Sequence, residues 1–464
     1  MLSSVGALPA RAVWAHGEAP NEDRFFATLR ACELSRLDSA RHTYLDWTGS
    51  ALHPVSVVRR HAEELHHTVL GNPHADSMAA RASSALVAKA RAAVLAFLDA
   101  RPEEYDVCFT SNASGALRLV AESYPFTAAS QLVLTADNHN SVNGIRTYAR
   151  ASGAEVRVLP LDGDLQLERG AEALGRLRAR APSLVAFPAQ SNFSGVRHPL
   201  ALVERAHALG FDVLVDAAAY VPTSPLSLRE VPADFLALSL YKIVGYPSGV
   251  GALVARRSAL ARLRRPSFAG GTVEAASAWQ DVHLLKRDAQ AFEDGTANFL
   301  GLAAVPAALD FVMRIGLSRI SRRVASLAGE LRGRLAALRH RNGAPLIALY
   351  GNGDLGATIA FNVLHADGSV VPYWHVEERA RQMRVSIRGG CFCNPGATER
   401  ALGIDSDALA DCLRMARERD VDFSHEWLAS CLGRPVGALR MSLGYGTNER
   451  DIARGVASVE GWRQ

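Results

Sequence analysis

Lysine is scarce in this chain: of 51 basic residues only three are lysines, Lys89, Lys242 and Lys286. Lys242 stands in Asp234-Phe235-Leu236-Ala237-Leu238-Ser239-Leu240-Tyr241-Lys242-Ile243-Val244-Gly245. The apolar run from Phe235 to Leu238 reads as a buried strand, and the glycines and proline after Lys242 break the chain. A lysine of lowered pKa at such a place can form a Schiff base with a carbonyl, as pyridoxal phosphate chemistry requires. Upstream, Phe211 to Ala218 is another short strand, ending in Asp216. A carboxylate there could keep a pyridinium nitrogen protonated, which makes the ring an electron sink. The competing reading is a helix cap at Asp216 and a surface Lys242, and spacing alone does not separate the two.

Other residues join this pair. Phe109-Thr110-Ser111-Asn112-Ala113-Ser114-Gly115 links a strand to a helix. Small residues there let backbone N–H groups and the Ser114 hydroxyl approach a phosphate, although an ordinary helix cap reads the same way. His139 precedes another helix, where it could stack on a cofactor ring and move protons; a plain polar loop is the alternative. Asn192, in Ser191-Asn192-Phe193-Ser194-Gly195, could donate to a cofactor oxygen or a substrate carboxylate, or simply turn the chain. Ser239, at the end of the lysine's strand, is a further cofactor-binding candidate.

Arg388-Gly389-Gly390-Cys391-Phe392-Cys393-Asn394-Pro395-Gly396 forms a second focus. Positive charge from Arg388 and Arg384 would lower a thiol's pKa and make it a nucleophile, and Arg388 is also a candidate for a substrate carboxylate. A metal reading is weak, because Cys-x-Cys has no second Cys/His pair at metal spacing. Cys32, Cys108, Cys412 and Cys431 read as structural. Arg440 sits in the apolar strand Ala438 to Leu443. Buried there it needs an anion, either an internal acid or a substrate α-carboxylate held bidentately.

The elements that must position these residues alternate. Strands are expected at 106–110, 131–135, 155–159, 183–187, 212–216, 234–238 and 250–254, with helices at 114–123, 141–152, 165–180 and 199–209. This predicts an α/β fold with a mostly parallel sheet covered on both faces, and ligands in such sheets bind at the strands' C-terminal ends. Ser114, His139, Asn192, Asp216 and Lys242 all fall at those ends. A short helical stretch at 22–37, a strand into a turn at 44–49, and helices at 55–70 and 77–98 precede the alternation. Beyond about residue 300 come helices at 299–314 and 318–339, strands at 345–349, 357–362, 384–388 and 436–442, and a final helix near 449–461. The expected domains are an N-terminal arm (1–43) joining a small domain, a large cofactor-binding domain (44–305) and a small α+β domain (306–464) carrying the Cys-Phe-Cys loop.

Composition fits a globular protein of this size, with 48% hydrophobic and 21% charged residues among 464. A net charge of +4 does not suggest nucleic acid or an anionic membrane as partner. No apolar run approaches the roughly 18 to 20 residues that span a bilayer, and Met1 to Ala15 lacks the pattern of a signal peptide. Six cysteines in so long a chain are no disulfide framework. The expectation is a reducing cytoplasm.

With these residues assembled, the chain resembles the fold-type I pyridoxal phosphate enzymes of the class V aminotransferase and cysteine desulfurase superfamily. Within it the chain looks most like the N-terminal, desulfurase-like domain of molybdenum cofactor sulfurases. The resemblance runs from Tyr44 to about residue 460. Its most specific stretches are Pro188-Ala189-Gln190-Ser191-Asn192-Phe193-Ser194-Gly195-Val196-Arg197, Tyr241-Lys242-Ile243-Val244-Gly245, Phe292-Glu293-Asp294-Gly295-Thr296, and Gly390 to Gly396. It implies Lys242 as the Schiff-base lysine, Asp216 as the pyridinium partner and His139 as the ring-stacking histidine. Ser114 and the backbone near Ala113 match the phosphate loop. Gly271 and Thr272 match a segment that reaches the phosphate from a neighbouring subunit, so a homodimer is implied. Arg440 matches the carboxylate-binding arginine, and Cys393 the persulfide-forming cysteine.

There are departures from the family pattern. Ala219 replaces a usual glutamine, which leaves the cofactor's phenolic oxygen needing another partner such as Asn192. Trp47 replaces a usual histidine, and Thr398 a third cysteine. The chain ends where the sulfurases' C-terminal domain would begin, which leaves the sulfur acceptor and cysteine itself open as partner and substrate. The leading expectation is desulfuration of L-cysteine, with a persulfide on Cys393 and alanine released. A C–S lyase or related enzyme acting on a larger cysteine conjugate, with Trp47 stacking on it, is the alternative. A catalytically silent binding protein is the remote one.

Overall fold

The computed structural model describes residues 22–167, 170–268 and 270–464. The first half of the expected N-terminal arm, and residues 168–169 within the helix expected at 165–180, lie outside the described residues.

Seven strands form one sheet, in the order Tyr105–Thr110, Gly251–Arg256, Phe235–Ser239, Asp212–Asp216, Leu184–Pro188, Gln131–Thr135 and Glu155–Leu159. Only Gly251–Arg256 runs antiparallel to its neighbours; the others are parallel. Strands covered on both faces must be apolar throughout, and Leu184–Pro188 and Phe235–Ser239 are buried at every position. The parallel strands therefore end on one edge, and that edge carries the candidate residues. Both faces are packed: Val107, Val185 and Val213 belong to one apolar cluster, and Cys108, Leu184 and Leu214 to the other.

Helix starts are set by local chemistry. Ser77 accepts from Ala80 N–H to open Met78–Phe97, and Asn112 accepts from Gly115 N–H to open Ala113–Ser123. Such caps are worth about 1 kcal/mol each. Two expected helices are broken. The one at 141–152 divides at Gly144 into Asn140–Asn143 and Ile145–Ala151. The one at 299–314 becomes Phe299–Leu302 and Val305–Ile315, because Asn298 caps a single turn before Pro306 restarts the helix.

Four further strands build a second, antiparallel sheet, in the order Ile347–Tyr350, Thr358–Val363, Ala438–Ser442 and Arg388–Gly390. Leu317–Ala336 and Glu449–Glu460 pack against this half of the molecule. The N-terminal helix Glu22–Glu33 is tied to it by a buried ion pair, Arg30 to Asp451 at 2.5 Å. Thr43–Tyr44 pairs in parallel with Val385–Ser386, which delivers the turn after it, Asp46 to Gly49, to the interface between the two sheets. Two of the cysteines read as structural are joined in a way that reading did not name. Helices Ser406–Glu418 and His425–Leu432 pack together and bring Cys412 and Cys431 to a Cα separation of 6.1 Å, where they form a disulfide.

Candidate active site

The C-terminal edge of the large sheet holds a cavity of about 150 Å³. Ala113, Ser114, His139, Asn192, Asp216, Ser239 and Lys242 line it, with Gln190, Ala219 and Ser141.

Lys242 lies in the one-turn helix Leu240–Val244, directly after the strand that ends at Ser239. Gly245 ends this turn at φ +77°. A side chain there would strike the backbone of Leu52 and His53, so glycine serves both the left-handed conformation and the close approach. The Lys242 ammonium makes no hydrogen bond among the described residues. Burial lowers its pKa below that of an ordinary lysine; Asp216 and Cys393 pull it back up, and Arg440 and Arg388 push it further down. Asp216 closes its strand with Oδ1 accepting from Ala218 N–H at 3.0 Å.

His139 caps Asn140–Asn143, with its Nδ1 accepting from Ser141 N–H at 3.1 Å. That bond fixes the neutral ring's proton on Nε2. Burial lowers the His139 pKa; Asp216 opposes this, and Lys242 and Arg440 reinforce it. Ser114 Oγ and Ser141 Oγ are 2.6 Å apart at the start of Ala113–Ser123, and Ser239 Oγ accepts from Ala113 N–H at 2.8 Å. Gly271 and Thr272 lie outside this cavity, in a short turn that opens the hairpin Val273–Ala276 and His283–Leu285.

The cysteine loop is pinned to the large half by four hydrogen bonds. Asn140 N–H donates to the Cys393 carbonyl (2.7 Å) and Asn192 Nδ2 to the Phe392 carbonyl (2.7 Å). Asn394 Nδ2 donates to the Asp137 carbonyl (2.7 Å) and to Asn192 Oδ1 (2.9 Å). Asn394 also caps Pro395–Leu402, and Gly396 lets that helix start against the Ala136 backbone. Thr398, in place of a third cysteine, donates to the Asn394 carbonyl. Phe392 and Cys393 sit at φ +53° and +55°, a conformation that costs a non-glycine residue about 1–3 kcal/mol and persists only where its surroundings impose it. Cys393 is exposed and Cys391 half-buried.

Arg440 is 2% exposed. Its Nη2 donates to Asp46 Oδ1 at 2.8 Å and its Nη1 to the Asn192 carbonyl at 2.9 Å, and it lies 4.7 Å from the centre of the Phe392 ring. Burial lowers its pKa, with Asp46 opposing. Arg388 is also paired with Asp46. Arg384 is not at the site; it donates to the Ala40 carbonyl.

Sequence reasoning passed over Asp46, Gln190 and Asn394. Asp46 stands in the Leu45-Asp46-Trp47-Thr48-Gly49 turn and is 8% exposed; an acid in a short apolar stretch was the available signal. Gln190 donates to the Ala219 carbonyl at 3.1 Å, so a glutamine amide lies beside the very position where the family's glutamine is missing. Asn192, expected to serve the cofactor's phenolic oxygen, instead holds the Phe392 carbonyl. Trp47 is buried, donates to the Tyr44 carbonyl and packs edge-on against Tyr445. It is a core residue beside a cavity of about 20 Å³ that Lys242 also lines, too small for a bulky substrate.

A half-buried ammonium with no hydrogen bond among the described residues, a carboxylate lining the same cavity, and a helix N-terminus with two hydroxyls form a donor set that suits pyridoxal phosphate, an aldehyde on a pyridine ring carrying a phosphate.

Residues 43–452 match the class-V aminotransferase family. A molybdenum cofactor sulfurase from Solanum lycopersicum is 34% identical over 95% of this chain and 57% of its own length. The chain thus spans little more than half the length of the curated relatives it matches. Two solved structures share the fold. A cysteine desulfurase from Thermococcus onnurineus NA1 has a TM-score of 0.76 at 24% identity, covering 96% of this chain and 98% of that one. The cystine C–S lyase C-DES, in complex with its product cysteine persulfide, has a TM-score of 0.70 at 18% identity, covering 93% and 100%.

Proposed function

The chain belongs to the class-V aminotransferase family, and from that premise we propose that it cleaves the C–S bond of L-cysteine or a cysteine-derived substrate, passing the sulfur to Cys393 and releasing alanine. Pyridoxal phosphate is the cofactor, and when bound it supplies an electron sink for charge developing at the substrate's α-carbon. Lys242 would hold it covalently, Asp216 its ring nitrogen and His139 its ring face. Ser114, Ser239 and the N-terminus of Ala113–Ser123 would hold its phosphate.

The chain's own residues then do the following. Arg440 binds the substrate α-carboxylate. Lys242, freed by the substrate amine and held below its ordinary pKa by burial, takes the α-proton. The Cys393 thiolate attacks the substrate sulfur. An S–S bond forms as the C–S bond breaks, the bonding pair stays with carbon, and two protons complete alanine: one from solvent at Cβ, and the one Lys242 took, returned to Cα. The observation that carries this reading is the anchoring of the Cys393 carbonyl to Asn140, the residue next to His139. This anchoring supports a sulfur nucleophile carried next to the cavity wall that His139 forms.

A homodimer belongs to the same reading. The hairpin after Thr272 exposes Trp279 (92%), Val282 (61%) and Leu284 (60%). An apolar surface of this kind suits a second copy whose phosphate site it would complete.

Product analysis of holoenzyme with L-cysteine and a reductant tests the proposal. Alanine with sulfide is expected from the wild type, and no alanine from a Cys393→Ala variant that still binds the cofactor. Pyruvate and ammonia from both proteins would replace desulfuration with β-elimination.

A further inference from the structure

Arg388 and Arg440 are register partners on adjacent antiparallel strands. Two cations directly opposite one another repel. Asp46 reconciles them, but unevenly. Arg388 donates to it through Nε (3.1 and 2.9 Å) and Nη2 (2.7 Å), a two-pronged grip that occupies the fork. Arg440 spends a single bond on it, at 2.8 Å, and keeps a buried Nε with no hydrogen-bond partner among the described residues. One carboxylate between two guanidinium groups leaves one positive charge on the pair, with the unpaired Arg440 Nε buried.

We propose that Asp46 is a specificity-determining residue of the carboxylate site: by occupying Arg388 it leaves Arg440 for one carboxylate only, so that the site accepts monocarboxylate amino acids and rejects dicarboxylates. The proposal rests on the reading that Arg440 takes the substrate α-carboxylate. Asp46 acts in two ways. It withdraws the second cation that a second carboxylate would need, and its own charge repels such a group.

The test is titration of the holoenzyme with L-alanine and with L-aspartate, followed by the absorbance of the bound cofactor. In Asp46→Asn, Arg388 is released and the affinity for aspartate relative to alanine rises at least about tenfold. Asp46→Glu, which keeps the charge, restores the wild-type preference. A purely structural role would shift both affinities by the same factor, and that result overturns the assignment. Should Asp46→Asn not fold, Arg388→Gln carries the test. Asp46 then competes for Arg440, and alanine binding weakens at least about fivefold; unchanged binding overturns the proposal. Arg440→Gln separates the two levels of the argument. If it binds alanine as well as the wild type does, the reading of Arg440 falls and the proposal with it. If it loses alanine while Asp46→Asn keeps the wild-type preference, only the role of Asp46 falls.

Discussion

Replacing Asn394 by alanine should cost little stability and much activity. The side chain is fully buried and makes three bonds: to the Asp137 carbonyl, to Asn192 Oδ1, and from Ala397 N–H. The lost helix cap is worth about 1 kcal/mol. The two other bonds, with the acceptors they leave unpaired, are worth about 2–4 kcal/mol together. Against this, the freed loop can leave the left-handed conformations of Phe392 and Cys393, recovering about 2–6 kcal/mol. The two sums are of similar size, so holoenzyme urea midpoints should show a net loss below about 2 kcal/mol. The relaxed loop no longer carries Cys393 beside Asn140, and alanine formation from L-cysteine should fall more than about tenfold, the effect expected when a reacting group is displaced. Cofactor absorbance should be unchanged, because Lys242 and Asp216 are untouched. A stability loss above about 4 kcal/mol with alanine formation intact would refute the reasoning, since the loop would then hold its place without Asn394.

Other outcomes follow from the same geometry. His198 donates to Asp137 at 2.7 Å with both side chains buried. Burial pushes the histidine pKa down, but the charge and hydrogen bond of Asp137 together outweigh it and leave it raised. The pair's stabilisation is therefore complete below the unfolded value of about 6.5 and fades as pH rises through the folded-state pKa; urea midpoints should show His198→Gln costing more at about pH 6 than at about pH 9. Trp47→Ala should destabilise by about 3–5 kcal/mol, as for a core aromatic, with no change in the relative turnover of cysteine and bulkier cysteine conjugates; a change in that preference would return Trp47 to the site. Leu284→Asp in the exposed hairpin should halve the mass measured by light scattering and weaken cofactor retention, whereas an unchanged mass would remove the hairpin from the dimer interface.

The large half of the fold was legible because its signals are local. Most of the seven strands are short apolar runs bounded by breakers, the exposed edge strand Glu155–Leu159 being the exception, and all seven fall within two residues of their expected positions at both ends. The residues at their C-terminal ends converge for a topological reason, since parallel strands share an edge. The small half was read less well. Helices Tyr373–Gln382, Pro395–Leu402, Ser406–Glu418 and His425–Leu432 bury few of their residues, so no long apolar run announces them. The hairpin Val273–Ala276 and His283–Leu285 is exposed on the single chain and lacks the alternation of a half-buried sheet. Asp46 escaped because its importance is entirely tertiary: nothing near it in sequence announces Arg388 and Arg440. The Cys412–Cys431 pairing likewise depends on how two helices pack, which cysteine spacing does not encode.

The most direct measurement is the mass of the Cys393 peptide after holoenzyme is mixed with one equivalent of L-cysteine without reductant. The account predicts a peptide heavier by one sulfur atom, matched by one equivalent of alanine. An unmodified Cys393 peptide accompanied by pyruvate and ammonia would contradict it.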